Sequence, residues 1–400
     1  MSDTRPRVIF VNRVYWPSQA ATAQLLTDLA EGLAARGWTV HVIAAGSDPG
    51  PRNGVTIHRT GAGEKHGGLL SRTLNYRRFG RRARELVAAL ARPGDVVVPM
   101  TDPPMLGAEV TATGQAAGAR VIPWIQDIYP EILTAHLGAI SALPAWPLRL
   151  RRDTAWRAAD RCVTLGSDMA VRLLARGVPG DRVSIVPNWA PRELQARPDD
   201  FDVTARRITW KLADKFIVAY SGNLGRVHEF RTVLDAAELL RERTGIIFQF
   251  VGTGAQFDEL RATAAKRRLH NIRFRPPEPR ETLAASLAAA DAHLVTLKPA
   301  FADLVYPSKL AGVLAAGRPA LFVGPAGGEI ARLLAAEGCG QAVAPGEAGL
   351  LAEIVTQWQG APGRRVQLGR QARAAYEKHF TFGGSLARWE EILRAAGAAP

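Results

Sequence analysis

Phe216-Ile217-Val218-Ala219-Tyr220-Ser221-Gly222-Asn223-Leu224-Gly225-Arg226 decides the fold of this 400-residue chain. A short apolar, β-prone run stops at Ser221-Gly222-Asn223, and residues 229–243 then change to helical spacing. A strand that feeds a helix through a glycine turn opens a βαβ unit. The same alternation continues downstream, with strands expected at 246–251, 272–274, 292–297 and 320–323. Helices are expected between them at 258–268, 283–289 and 309–316, with another at 329–337. Upstream, strands are expected at 7–12, 39–44, 55–59, 96–100, 120–125, 161–165 and 182–186, with a helix at 21–36. Pro187 and the proline- and acid-bearing stretch 191–202 break the rhythm. The pattern therefore predicts an α/β chain of two doubly wound, Rossmann-like parallel-sheet domains, residues 1–187 and 188–383, with a last amphipathic helix within 384–400.

Bulk composition narrows the function classes. Apolar residues make up 47% and charged residues 22%, the balance of a globular protein, and 400 residues exceed one ordinary core. No run is long and apolar enough to span a bilayer, and the polar start leads straight into a strand, so no secretory leader is expected. Cys162 and Cys339 lie far apart and spell neither a disulfide framework nor a zinc site, which fits a cytoplasmic protein. The net charge of +14 implies attraction to nucleic acid, phosphorylated ligands or an anionic membrane, unless it reflects arginine-rich coding alone. Zinc-finger spacing and basic runs interleaved with aromatics are both missing, so nucleic acid is not an expected partner.

Ligands of such sheets bind where strands end and helices begin, which singles out the residues just after each strand. Gly222 and Asn223 follow one strand, and Arg226 and His228 behind them could meet negative oxygens. Val251-Gly252-Thr253-Gly254 follows the next. The third glycine of a dinucleotide fingerprint would fall at Phe257, so this loop suits a base or ribose rather than a nicotinamide cofactor. Tyr306-Pro307-Ser308-Lys309-Leu310 reads as a helix start with the amides of Ser308, Lys309 and Leu310 free and a lysine beside them, a cradle for a diphosphate. In the first domain, Gln126, Asp127 and Glu131 sit at a strand end and suit sugar hydroxyls. Tyr15 and Trp16 offer aromatic faces after the first strand. Each segment also reads as an ordinary tight turn or capped helix. Asp200 and Asp202 have the spacing of a divalent-metal motif but lie in the linker, and no metal site is expected.

Taken in order, these pieces resemble the retaining glycosyltransferases of family 4, which have the GT-B fold. The likeness is greatest to the branch that builds O-antigen, colanic acid and capsule. It rests on Tyr15-Trp16-Pro17, Gln126-Asp127-Ile128-Tyr129-Pro130-Glu131, Pro187-Asn188-Trp189, Ser221-Gly222-Asn223-Leu224-Gly225, Val251-Gly252-Thr253-Gly254, Pro307-Ser308-Lys309 and Ala315-Ala316-Gly317-Arg318-Pro319. The resemblance implies two domains facing across a cleft, the first for acceptor and the second for a nucleotide-diphosphate sugar, expected to be UDP-linked. It implies that the last helix packs back on the first domain, and that transfer retains configuration without metal or cofactor. Candidate catalytic residues are then Gln126, Asp127 and Lys309. Donor-binding candidates are Gly222, Asn223, Arg226, His228, Gly252, Gly254, Tyr306, Ser308, Lys309 and Leu310, and acceptor-binding candidates are Tyr15, Trp16 and Glu131. Three departures stand out. Leu304 and Gly312 occupy the places of the family's paired glutamates, Gln126 replaces a histidine, and Asn223 and His228 replace the phosphate-loop arginine and lysine.

Acceptors in such pathways are lipid-linked or saccharide, so a peripheral site on the inner membrane face is expected. Residues 69–82 and 143–156 both mix arginine with leucine or aromatic residues at helical spacing, as an anionic interface would require. A non-hydrolysing nucleotide-sugar epimerase and a non-catalytic partner subunit are the rival readings. The first needs an acid/base set that the sequence does not show, and the second would explain the missing glutamates.

Overall fold

The computed structural model describes residues 6–47, 50–61, 68–138, 142–194 and 203–400. They form two compact units: Met1–Pro187 with Asp303–Tyr306 and Gly383–Pro400, and Asn188–Ala302 with Pro307–Phe382. The stretch 195–202, which holds Asp200 and Asp202, lies outside the described residues.

In the first unit the strands are β1 (Val8–Val11), β2 (Val40–Ala44), β3 (Val55–Arg59), β4 (Val96–Pro99), β5 (Arg120–Val121), β6 (Cys162–Thr164) and β7 (Val183–Ile185). Five pair in the order β3-β2-β1-β4-β5 and two as β6-β7, all parallel. The expected strand at 120–125 is shorter, because Pro123 has no N–H to offer a ladder. Beyond it a single bridge from Trp124 to Val163 carries the chain toward β6. β1 and β4 are buried on both faces, as parallel sheets covered by helices require. Their core includes Ile9, Val11, Ile43 and Val97, packed against Phe79 and Val110 of the helices Leu69–Leu90 and Leu106–Ala116.

Six strands follow in the second unit: β8 (Phe216–Ser221), β9 (Ile246–Val251), β10 (Ile272–Arg275), β11 (Ala292–Thr296), β12 (Ala320–Val323) and β13 (Gly340–Val343). They pair in parallel as β10-β9-β8-β11-β12-β13. Strand order reverses between β1 and β4 and again between β8 and β11, and at such switch points the strand ends open a crevice. Sequence reading missed β13. A Cβ on its Gly340 would lie 2.2 Å from the Ala320 carbonyl oxygen, so close packing requires glycine, the residue that weakens a strand pattern.

The helix Phe382–Ala395 belongs to the first unit from Gly383 on. Its Trp389 is fully buried, edge-on to Phe10 and Trp124 with ring centroids 6.4 and 5.1 Å away. Next to it, the Glu390 carboxylate accepts the Trp38 indole N–H at 3.0 Å and an ion pair from Arg36. Among the described residues no helix is long and apolar enough to cross a membrane.

Candidate functional site

In the second unit the loops after β8 and β9 lock together backbone to backbone. The Gly222 N–H donates to Val251 O at 2.9 Å, and the Leu224 N–H to Thr253 O at 2.7 Å. Gly252 and Gly254 adopt φ of +148° and +138°, and a Cβ on either would strike Gly222 O at 2.0 Å or the Asn223 Oδ1 at 2.4 Å. Only glycine satisfies both the backbone angle and the contact. The result is a tightly joined double loop at the β8 and β9 ends, with Gly222 and Asn223 exposed on it.

Lys309 reaches this loop from the start of the helix Lys309–Ala315. Its Cε lies 3.6 Å from where a Gly222 Cβ would stand. Its ammonium meets the Tyr220 hydroxyl and lies 4.0 Å from that ring's centroid, and it donates to His228 Nε2 at 3.1 Å. His228 Nδ1 sits 2.6 Å from Thr296 O, a carbonyl that can only accept, so the proton is on Nδ1 and Nε2 is left to accept from lysine. The Tyr220 hydroxyl donates onward to Asn223 O at 2.8 Å. Every partner of the ammonium is neutral. Burial pushes Lys309 down to about 7, and burial together with the lysine charge pushes His228 down to about 3.

Two expectations change here. His228 cannot supply positive charge to a phosphate, because it is buried and neutral; it orients Lys309 instead. The helix start also offers less than expected, since the Leu310 amide donates to Pro307 O at 3.1 Å and Leu310 is buried. The cationic groups at this loop are the Lys309 side chain and Arg226, whose exposed guanidinium makes no ion pair among the described residues. Ser308 is exposed beside Lys309, whereas Tyr306 falls in the first unit. Gly312, in the place of a family glutamate, lies among the leucines Leu194 and Leu287 at 3.5 and 3.6 Å, and Leu304 is buried.

In the first unit, Arg13 after β1 forms a two-pronged ion pair with Asp102 after β4, at 2.8 and 3.0 Å. Burial, reinforced by the Asp102 carboxylate, raises Asp127 to about 6. Its backbone bridges antiparallel to Val305, and Ile128 N–H donates to Leu304 O at 2.9 Å, so the segment Asp303–Tyr306 lines this strand end. A small cavity of about 30 Å³ lies beside it, walled by Pro99, Met105, Pro123, Trp124, Asp127 and Tyr129. Met105 holds a left-handed φ of +71°, backbone strain of the kind that gathers at ligand sites.

Tyr15, Trp16 and Glu131 do not join that cavity wall. Tyr15 is fully buried, so its faces serve the core, and Arg52 covers the Trp16 ring at 4.4 Å. Glu131 is buried, which by itself would raise its pKa, yet bonds from Arg152 hold it below the usual carboxylate range. Arg152 donates to Glu131 at 2.9 Å and to Asp153 at 2.6 Å, so Glu131 fixes structure rather than greeting an acceptor. Gln126 is buried beside Asp127. Sequence reading missed Tyr220, hidden in a strand pattern as core, and Asp102, which had the same strand-end position as Asp127. Among the described residues no group of three or more His, Cys, Asp or Glu side chains could hold a metal ion.

Comparison with known proteins places these features. A glycosyl transferase 4-like domain matches residues 21–189, and a glycosyl transferases group 1 domain matches residues 204–375. The putative colanic acid biosynthesis glycosyl transferase WcaI of Escherichia coli (strain K12) is 35% identical over 175 residues, 44% of this chain and 43% of the relative. The probable glycosyltransferase WbjE of Pseudomonas aeruginosa is 28% identical over 269 residues, 67% of this chain and 66% of that protein. The matched stretches thus span less than two thirds of either relative's length. The crystal structure of Anabaena HepE with UDP-glucose superposes with a TM-score of 0.72 at 14% identity, covering 97% of this chain and 99% of that one. With one glycosyltransferase domain matched on each parallel-sheet unit, the chain belongs to the family 4 glycosyltransferases of the GT-B fold.

Proposed function

We propose that the protein transfers a sugar from a nucleotide-diphosphate sugar, UDP-linked, to a lipid-linked or saccharide acceptor in cell-surface polysaccharide synthesis. The observation that carries the donor half is the enclosed Lys309 ammonium with only neutral partners, Tyr220 and His228. A buried cation without a counter-charge is costly unless an anion completes it, and a diphosphate over Gly222 and Asn223 would do so. HepE, which shares the fold, has been crystallised with UDP and with UDP-glucose, and WcaI is named for colanic acid synthesis. Donor binding falls to the second unit, and acceptor binding to the first, at Asp127.

Transfer with retention breaks the bond from sugar C1 to the phosphate oxygen and forms a bond from C1 to the acceptor oxygen on the same face. The acceptor proton passes to the leaving phosphate, so no strong base is required. Lys309, with Arg226, offsets the charge gathering on the diphosphate, which needs no metal or cofactor in this reading. Asp127 accepts a hydrogen bond from the acceptor hydroxyl and orients it. A lipid-linked acceptor would bring the protein to the cytoplasmic face of an anionic membrane, and nucleic acid is not a partner in this reading.

Calorimetry with UDP tests this reading. Lys309→Ala should lose about 1.5–3 kcal/mol of affinity while its melting temperature holds, and release of UDP from a donor panel should persist in excess chelator. Unchanged UDP affinity in the variant would remove the assignment.

A further inference from the structure

The helices Glu131–Leu137 and Ala142–Ala158 of the first unit present an apolar surface to solvent. Leu143, Trp146 and Leu150 fall on one face of the second helix and are 83, 61 and 48% exposed. Leu137, the last residue of the first helix, is 71% exposed. Single exposed leucines are ordinary, but large apolar side chains gathered on two adjoining helices make a patch.

The packing that joins these helices also removes their negative charge. Glu131 and Asp153 are the only carboxylates in the two helices, and both are buried against Arg152. Arg149 adds a bond to Thr134 at 3.3 Å. The charges left at the surface are cationic: Arg151 and Arg157 exposed, Arg149 partly so. Leucine and tryptophan bordered by arginine, with no exposed carboxylate, complement an anionic bilayer face.

We propose that this pair of helices is the element by which the protein docks on an anionic lipid surface. Leu143, Trp146 and Leu150 enter the acyl boundary, and Arg149, Arg151 and Arg157 meet headgroup phosphates. The proposal deepens the membrane reading above and rests on it. The helix Leu69–Leu90 is the weaker candidate. Glu85 pairs with its Arg81 and Arg82, and among its described side chains Leu74 is the one large apolar group left exposed.

Sedimentation with vesicles of phosphatidylcholine, with or without phosphatidylglycerol, tests it on the full chain. Native protein should bind the phosphatidylglycerol vesicles only. Leu143→Ser, Trp146→Ser and Leu150→Ser together should weaken that partition by about tenfold or more, as loss of three inserted apolar groups requires. Arg151→Gln with Arg157→Gln should also weaken it, while Arg77→Gln, Arg78→Gln, Arg81→Gln and Arg82→Gln together leave it unchanged. All variants should keep native UDP affinity, which checks their folding. Native protein that ignores both vesicles overturns the membrane reading with this proposal. Equal vesicle binding by native protein and the triple variant overturns the docking helices alone, and equal binding to both vesicle types overturns the choice of an anionic surface. Self-association in the ultracentrifuge that the triple variant abolishes, with vesicle binding intact, would assign the patch to a second copy of the chain. Vesicle binding without any UDP binding would sink the donor reading and leave these helices in place.

Discussion

At the scale of the residue, the informative feature is a lysine held among neutral groups. Lys309 is lowered to about 7 by burial, against an ordinary value of 10.5, so free protein at pH 8 keeps it mostly uncharged. A diphosphate favours the ammonium and raises that value, so binding above pH 7 takes up a proton and affinity falls as pH rises. Calorimetry near pH 8 in buffers of different ionisation enthalpy should show this uptake in native protein and none in Lys309→Ala. Stability of the free protein has the matching sign. Between about 7 and 10.5 the unfolded chain holds the lysine proton more tightly than the native state, so unfolding free energy rises with pH across that window. His228 does not share this titration, since its value of about 3 keeps it neutral throughout.

At the scale of the element, the helix Lys309–Ala315 shows why one family feature cannot be restored by substitution. Gly312 lies in its interior, buried, with Leu194 and Leu287 within ordinary contact of a new Cβ. Gly312→Ala should therefore be tolerated or stabilising by about 0.5–1 kcal/mol, since alanine loses less backbone entropy than glycine. Gly312→Glu places a polar group among leucines with no partner and should cost roughly 2–7 kcal/mol. Urea unfolding of the two variants checks the contrast. A glutamate variant as stable as native would mean that the helix can turn that side chain out, against its packing. Loop and strand at the other edge obey the same steric rule, where Gly340 lets β13 approach Ala320.

At the scale of the whole molecule, each unit draws on distant sequence. The first unit is closed by the last helix, whose Trp389 fills the space between Phe10 and Trp124. Trp389→Ala should cost about 3–5 kcal/mol through lost burial and the cavity left behind. Near-native stability by thermal unfolding would show that the helix is dispensable to that core. Segment Asp303–Tyr306 likewise joins the first unit, where Arg172 pairs with Asp303 at 2.7 Å.

The sequence by itself determined the alternating strands and helices, the glycine loops after β8 and β9, and Lys309 as a charge at a helix start. Those features are local: side-chain periodicity, turn chemistry and strand-to-helix order all act within one or two elements. Only the tertiary structure decided what those residues face. Lys309 lies 81 residues from His228 and 89 from Tyr220, and His228 takes its tautomer from a carbonyl 68 residues on. No local pattern records such pairings, because they are fixed by which strands the parallel sheet makes neighbours. The same holds for Glu131, which reads as a carboxylate open to ligands until Arg152, 21 residues away, is seen to enclose it. Burial and partner choice are properties of the packed sheet and its helices, and they turned a histidine expected to carry charge into a neutral support for the lysine beside it.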